Sequence, residues 1–303
     1  MSGDAMNGQG STRACIFGEV LFDHFPDGRR VLGGAPFNVA WHLQAFGEAP
    51  FLVSRVGDDE EGDEVRSAMR AWGMDPAGLQ TDPELPTGRV RVYIEDDEPS
   101  YDIVHPSAWD AIDDPDCPSG GCALLYHGSL ALRDAISRRA CDALRARCPA
   151  IVFIDVNLRP PWYHAERLLA GLEGAHWVKL NRDELDELAP GATARDFMAS
   201  LGLRGLLLTE GSRGARLLTA DGAEFTARPG GDVEVVDTVG AGDAMASIMI
   251  LGLLRGWPLQ LTLDRAQAFA SAIVGRRGAT VRDPAFYAPF ADRFRQSGIA
   301  HDV

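Results

Sequence analysis

Residues 233–254 read VEVVDTVGAGDAMASIMILGLL, and they carry the sharpest chemistry in the chain. The pattern predicts a buried strand over 233–237 that ends at Asp237. Thr238-Val239-Gly240-Ala241-Gly242 follow, then Asp243 at the mouth of an apolar helix. Two glycines let the backbone bend so that successive N–H groups point outward together. The helix N-terminus adds a partial positive charge. Together they make an anion cradle suited to a phosphate. A carboxylate in such a cradle is unfavourable unless it acts on a nucleophile or a metal. Asp243 is therefore a candidate base, although a plain turn and a plain helix cap use the same residue types.

A second glycine pair opens residues 32–62, LGGAPFNVAWHLQAFGEAPFLVSRVGDDEEG. Gly33-Gly34 stand just before Pro36, a residue well tolerated at a helix start. They let a bulky ligand approach the backbone. Asn38 falls in the first helical turn, where its amide can both donate to and accept from hydroxyls. A solvated helix residue fits that position equally.

These turns need a scaffold. With 303 residues and 46% hydrophobic content, the chain can bury a large core, which excludes wholesale disorder. Its 29 basic and 44 acidic residues leave a net charge of −15, which argues against nucleic-acid partners. An anionic ligand must then be held by local devices: backbone amides, a few arginines or a bound cation. Lys179 is the only lysine, and we read that as compositional bias. It belongs to no G-K-[ST] loop, and the N-terminal strand lacks G-x-G-x-x-G, which disfavours a nucleotide-binding dehydrogenase. The most apolar run, residues 244–254, stops at Arg255, short of the ~18 residues of a membrane helix, so no membrane partner is expected. Residues 1–13 are polar without an apolar h-region and read as a disordered tail. The five cysteines read as reduced thiols of a cytoplasmic protein, and the scattered histidines make a zinc site improbable.

Strand-like runs alternate with helical ones. Strands are expected at 15–22, 51–57, 89–95, 122–128, 150–156, 177–181, 205–211 and 233–237. Helices are expected at 36–46, 61–73, 134–148, 162–172, 193–202, 242–254 and 259–276, and a hairpin turns at Asp221-Gly222. This is the pattern of an α/β fold, a doubly wound, mainly parallel sheet with helices on both faces. Residues 20–32 and 86–105 are β-like without flanking helices and suggest a small separate sheet, a lid. In open α/β sheets ligands sit beyond the carboxyl ends of the strands. Asp155, Asn157, Asn181, Glu184, Glu210 and Asp237 should share that edge.

Taken together the motifs resemble those of the ribokinase-like, or PfkB, carbohydrate kinases. The G-G-x-x-x-N-x-A segment matches at Gly33, Gly34, Asn38 and Ala40, and V-G-x-D-x-x-G is matched by residues 56–62. D-T-x-G-A-G-D matches at Asp237, Thr238, Gly240, Ala241, Gly242 and Asp243, and N-x-x-E at Asn181 and Glu184. The resemblance spans about 14–290, implying one kinase domain over 14–303. Fructokinases look most similar, through Gly18-Glu19 with Asp23, Gly33-Gly34-Ala35-Pro36, and residues 155–162. Phe37, Met245 and the stretch 101–110 depart from the fructokinase pattern, and all three bear on the sugar pocket.

The resemblance implies transfer of the γ-phosphate of Mg-ATP to a sugar hydroxyl, with fructose the leading substrate. Asp243 would be the base, with the amides of Gly240, Ala241 and Gly242 as anion hole. Asp23, Gly33, Gly34, Asn38 and Arg159 would bind the sugar. Asn181, Thr209, Gly211, Gly240 and Gly242 would bind ATP, with adenine near Ala266–Ala270. Glu184 and Asn181 would hold Mg²⁺ through water, and Asp237 with the Val239 carbonyl a K⁺ ion. Lid-to-lid contact would give a homodimer. Kinases of 2-keto-3-deoxygluconate, ribose or a nucleoside are the alternatives; Arg89, Arg91 and His105 suit an acid sugar. A non-catalytic regulatory relative is a further one, set against the intact Asp243.

Overall fold

The structure is a computed structural model that describes residues 13–95, 98–115, 118, 121–148, 150–230 and 235–296. Residues 1–12 of the expected tail lie outside it. Arg13 is anchored, donating to the Ala49 carbonyl and pairing with Asp75.

In chain order the strands are β1 Ala14–Phe17, β2 Leu21–His24, β3 Arg30–Gly33, β4 Phe51–Gly57, β5 Leu79–Asp82, β6 Gly88–Glu95 and β7 Glu98–Ile103. They continue as β8 Leu124–Gly128, β9 Ile151–Asp155, β10 Trp177–Asn181, β11 Gly205–Thr209, β12 Ala215–Thr219 and β13 Glu224–Ala227. The helices are α1 Ala35–Ala45, α2 Glu60–Ala71, α3 Ala135–Arg147, α4 Ala165–Leu172, α5 Arg182–Leu188, α6 Ala194–Ser200, α7 Ala241–Arg255, α8 Leu259–Val274 and α9 Pro284–Gln296.

Nine strands form one sheet in the order β13-β12-β11-β10-β9-β8-β1-β4-β5. It is parallel from β5 to β11, and the β12–β13 hairpin closes it antiparallel. The central strands are buried on both faces, which is why they read as continuous apolar runs. From Ala244 to Gly252 α7 is buried all round, as expected of an inner helix. It crosses α8 so closely that a Cβ on Gly252 would lie 2.3 Å from Thr262.

Four strands form the second sheet, ordered β3-β2-β6-β7, and they coincide with the expected lid segments. This small sheet is fastened by α2. Glu61, 3% exposed, pairs with His24 of β2 at 2.8 Å, Arg30 of β3 at 3.2 Å and Arg89 of β6 at 2.6 Å. Asp59 caps α2 through the Gly62 amide and accepts from the Thr87 amide at the entry to β6. The V-G-x-D-x-x-G segment is thus the attachment of the small sheet.

Three expectations need correction. The strand expected at 15–22 is two strands in different sheets, broken at Gly18-Glu19-Val20. Gly18 makes the break at φ +150°, where a Cβ would lie 2.4 Å from Pro36. The strand expected at 233–237 falls partly outside the described residues, and Val235–Asp237 are not strand. The amides of Val236 and Asp237 instead both donate to the Val274 carbonyl at the end of α8. Finally, Cys15, Cys122 and Cys141 are buried free thiols, but Cys148 is disulfide-bonded.

Candidate active site

Parallel pairing puts the C-termini of β1, β8, β9, β10 and β11 on one edge of the main sheet. The first turns of α1 and α7 meet there. Asn38 Nδ2 donates to Asp243 Oδ2 at 2.8 Å. Asn38 is 4% exposed, so it is not a solvated helix residue. Its Oδ1 has no hydrogen-bond partner among the described residues, and a Cβ on Gly33 would lie 3.7 Å from it. An acceptor is thus held beside a glycine that leaves room for a hydroxyl.

Gly240 caps α7 in the left-handed region at φ 80°, where a Cβ would lie 2.4 Å from that of Ala279. The first intrahelical bond runs from the Ala244 amide to the Gly240 carbonyl at 2.8 Å. The amides of Gly242 and Asp243 precede it and open outward from the helix end. Burial pushes the Asp243 carboxyl up to about 6; the Asn38 bond and the charges of Lys179 and Arg159 hold it down, while Asp155 adds to the rise.

Lys179 is a residue of this edge that its sequence context did not single out. It lies on β10, 7% exposed, and its Nζ donates to Asp155 Oδ1 at 2.7 Å. A Cβ on Gly242 would come within 3.1 Å of the same Nζ, so the ammonium rests against the cradle turn. Tyr126 donates to Asp155 Oδ2 at 3.2 Å. Burial opposes the lysine's charge, but Asp155, with Asp243 and Glu184, outweighs it and leaves the pKa raised. The available signal was its singularity: one lysine among arginines, two residues before Asn181 on a buried strand.

Glu19, seen in the sequence only as part of the Gly18-Glu19 motif, is a second buried ionisable group at this edge. It sits in the break between β1 and β2, and its Oε2 has no partner among the described residues. Burial, reinforced by the charge of Asp243, pushes its carboxyl up to about 8, so it is protonated at neutral pH. Gly34, at φ +108°, passes so close that a Cβ would lie 2.6 Å from the Glu19 carbonyl oxygen. Arg159 is exposed at the mouth, and its charge reaches both Glu19 and Asp243. Asp23, on β2 between Val31 and Val90, is pushed up to about 6 by burial.

Asn181 and Glu184 form a reciprocal capping box on α5. The two Glu184 oxygens accept from the amides of Leu158 at 3.2 Å and Asn181 at 2.8 Å. A carboxylate so held keeps lone pairs for water, which suits an outer-shell contact to hydrated Mg²⁺. Thr209 pairs with Asn181 across β10 and β11, and Gly211 turns the chain at φ 59°. Ala266 and Ala270, expected near adenine, are buried in the core. Asp237 accepts from the amides of Val239 and Gly278, both at 3.0 Å, bracing the loop before α7 and keeping lone pairs for a cation.

A doubly wound sheet with a separate small mixed sheet, and an aspartate in a glycine turn at the main sheet's carboxyl edge, defines a ribokinase-like protein. The chain belongs to the pfkB family of carbohydrate kinases, whose signature matches residues 11–285. It is 30% identical to the aminoimidazole riboside kinase of Salmonella typhimurium over 95% of each chain. The crystal structure of the Salmonella enterica aminoimidazole riboside kinase, complexed with aminoimidazole riboside and an ATP analog, superposes with a TM-score of 0.77. That match has 26% identity and covers 92% of this chain and 99% of the other. A fructokinase double mutant from Vibrio cholerae, with bound fructose, ADP and potassium ion, gives TM-score 0.77 at 25% identity over 91% and 97% of the two chains.

Proposed function

We propose that this protein transfers the γ-phosphoryl group of ATP to a hydroxyl of a sugar, with fructose the first candidate. The observation that carries the reading is Asp243, a half-buried carboxylate at the amide cradle of α7, oriented by Asn38 at 2.8 Å. The sugar hydroxyl gives its proton to Asp243 as its oxygen bonds the γ-phosphorus, the bond to the β-phosphate oxygen breaks, and ADP leaves. The amides of Gly240, Ala241, Gly242 and Asp243 meet charge on the transferring group, each such donor being worth roughly 3–4 kcal/mol. Mg²⁺, reached through water by Asn181 and Glu184, supplies neutralisation of the phosphate charge when bound. Asp237 and the Val239 carbonyl are our assignment for a K⁺ ion near the cradle. Asp23, Gly33, Gly34, Asn38 and Arg159 hold the sugar, and Thr209 and Gly211 the nucleotide. The lid excludes water that would compete as acceptor.

Aminoimidazole riboside or another riboside is the second reading, favoured by the relative at 30% identity. An acid sugar is disfavoured, because Arg89 pairs with Glu61, Arg91 with Asp102 and His105 with Asp134. We further assign a cytoplasmic location, where ATP is available, and a homodimer through the lid, whose Tyr93 and Tyr101 are exposed. Light scattering tests the dimer.

The deciding experiment is ADP release from Mg-ATP with fructose, glucose, mannose, ribose, 2-keto-3-deoxygluconate, adenosine and aminoimidazole riboside, with Asp243→Asn as control. Fructose-dependent turnover abolished in the variant is the expected result. Turnover on another substrate alone overturns the fructose assignment, and turnover retained by Asp243→Asn overturns the base.

A further inference from the structure

The main sheet carries a cavity of about 460 Å³ on the face away from Asp243. Side chains alternate along a strand. Tyr126 and Asp155 face Lys179 and the cradle, so His127 of β8 and Ile154 of β9 face the opposite way, towards α3 and α4. Helix α4 has 8 residues against 13 in α3, and the two leave a groove between them. None of Asp23, Gly34, Asn38, Arg159 or Asp243 lines it. The volume falls within the ~300–1,000 Å³ of small-molecule sites.

Its chemistry is cationic in a chain of net charge −15. Arg133, Arg138, Arg145 and Arg167 line it, against the two carboxylates Asp142 and Glu173. Arg138 and Arg145 donate to backbone carbonyls of Leu132, Gly171 and Glu173. Among the described residues, neither these two nor Arg167 is ion-paired with a carboxylate. Arg133 is bound by Asp110 through Nε and Nη2 and stacks 4.0 Å from the Trp109 ring centroid and 4.4 Å from that of Trp162. Its side chain is 2% exposed, yet Nη1 has no hydrogen-bond partner among the described residues.

His127 is 1% exposed and supplies the complementary group. Its Nδ1 lies 2.9 Å from the Gly128 carbonyl, which only accepts, so Nδ1 carries the proton. Nε2 then presents a lone pair, and it has no partner among the described residues. Burial, with the charge of Arg145 adding to it, lowers the ring's pKa to about 4, so the imidazole is neutral at pH 7. Buried polar groups left without partners are rare and costly. Here a donor and an acceptor line one cavity beside three arginines not committed to carboxylates.

We propose that this cavity is a second ligand site that takes a small hydroxylated phosphomonoester, with its anion on the arginines and a hydroxyl on His127 Nε2. Arginine is suited to phosphate oxygens. The site touches the lid's exit: Arg133 Nη2 donates to the Val104 carbonyl at 2.9 Å, and the Trp162 ring lies 4.9 Å from that of His105, just beyond β7. The cavity thus adjoins the segment that leaves β7. Binding itself does not depend on which sugar the enzyme phosphorylates.

The test is calorimetric titration of the full chain, its active site filled with Mg-ADP and fructose, with inorganic phosphate, fructose 6-phosphate and AMP as separate probes. The sugar and nucleotide arms distinguish the two sources of a hydroxylated phosphomonoester. One equivalent of an ester should bind at submillimolar concentration, more tightly than inorganic phosphate. Arg138→Glu with Arg167→Glu should weaken it at least tenfold while leaving melting temperature and basal turnover unchanged. His127→Leu should weaken the ester but not inorganic phosphate. Absence of saturable ester binding up to 10-fold above the millimolar range, or ester binding undiminished by the arginine pair, overturns the proposal. Inorganic phosphate binding as tightly as the esters overturns the role of His127.

Discussion

Asn38 and Asp243, 205 residues apart in sequence, are joined by a 2.8 Å hydrogen bond from the asparagine amide to the carboxylate. The bond ties the first turn of α1 to the first turn of α7 and leaves one carboxylate oxygen to receive a proton. As the base proposed above, Asp243 works only as the carboxylate, and its carboxyl is pushed up to about 6 by burial. Turnover should therefore fall as pH drops through 6, approaching tenfold per unit below it. Asp243→Asn should lose roughly 10²–10⁴-fold in kcat and retain ATP binding. A pH–rate profile and a nucleotide titration check both statements.

Replacing Asn38 by leucine removes the donor that opposes the Asp243 shift and the acceptor beside Gly33. An unsatisfied buried carboxylate oxygen costs about 1–3 kcal/mol, so kcat/KM should fall roughly 10- to 100-fold. The acid limb should also move to higher pH, because the bond that holds the pKa down is gone. Initial rates from pH 5 to 8 separate this from a simple loss of sugar affinity, which would leave the limb in place.

The parallel sheet was legible because its strands, buried on both faces, read as short apolar runs between helical patterns. The glycine turn before α7 was legible because Gly240, Gly242 and Asp243 fall within four consecutive residues. Lys179 was not, and Glu19 was legible only as a motif residue: their contacts with Gly242 and Gly34 are made by strand order and chain reversal rather than by neighbours in sequence. Asn38 was ambiguous, since a polar residue in a first turn looks the same whether it faces water or a carboxylate. Residues 235–237 carry strand-like side chains, but the amides of Val236 and Asp237 bond the Val274 carbonyl at the end of α8 rather than a strand.

Glu19 should make stability fall with rising pH. Its folded carboxyl is raised to about 8 from an ordinary value of 4.5. Below pH 4.5 both states hold the proton and the contribution is fully present. Between 4.5 and 8 the unfolded chain releases the proton while the folded chain keeps it, so stability declines through this window and levels off above it. Glu19→Gln should flatten that decline and raise the melting temperature at pH 8 relative to the wild type. Thermal melts from pH 4 to 9 give the comparison, and parallel slopes for the two proteins would refute the assignment.

The Lys179–Asp155 pair offers the most discriminating variants. Lys179 lowers the Asp243 pKa and Asp155 raises it. Lys179→Met should shift the acid limb of kcat/KM upward, and Asp155→Asn should shift it downward. Each single change leaves a buried charge unpaired, at a cost of about 3–5 kcal/mol, so both should melt early. Lys179→Met combined with Asp155→Asn removes the whole pair and should recover much of that stability. The opposed effects on Asp243 then nearly cancel, and the acid limb returns towards its original pH. What does not return is the ammonium that rests against Gly242 at the cradle. The double variant should therefore be folded, titrate like the wild type and still turn over slowly. Full recovery of kcat in that variant would show that Lys179 serves only to neutralise Asp155.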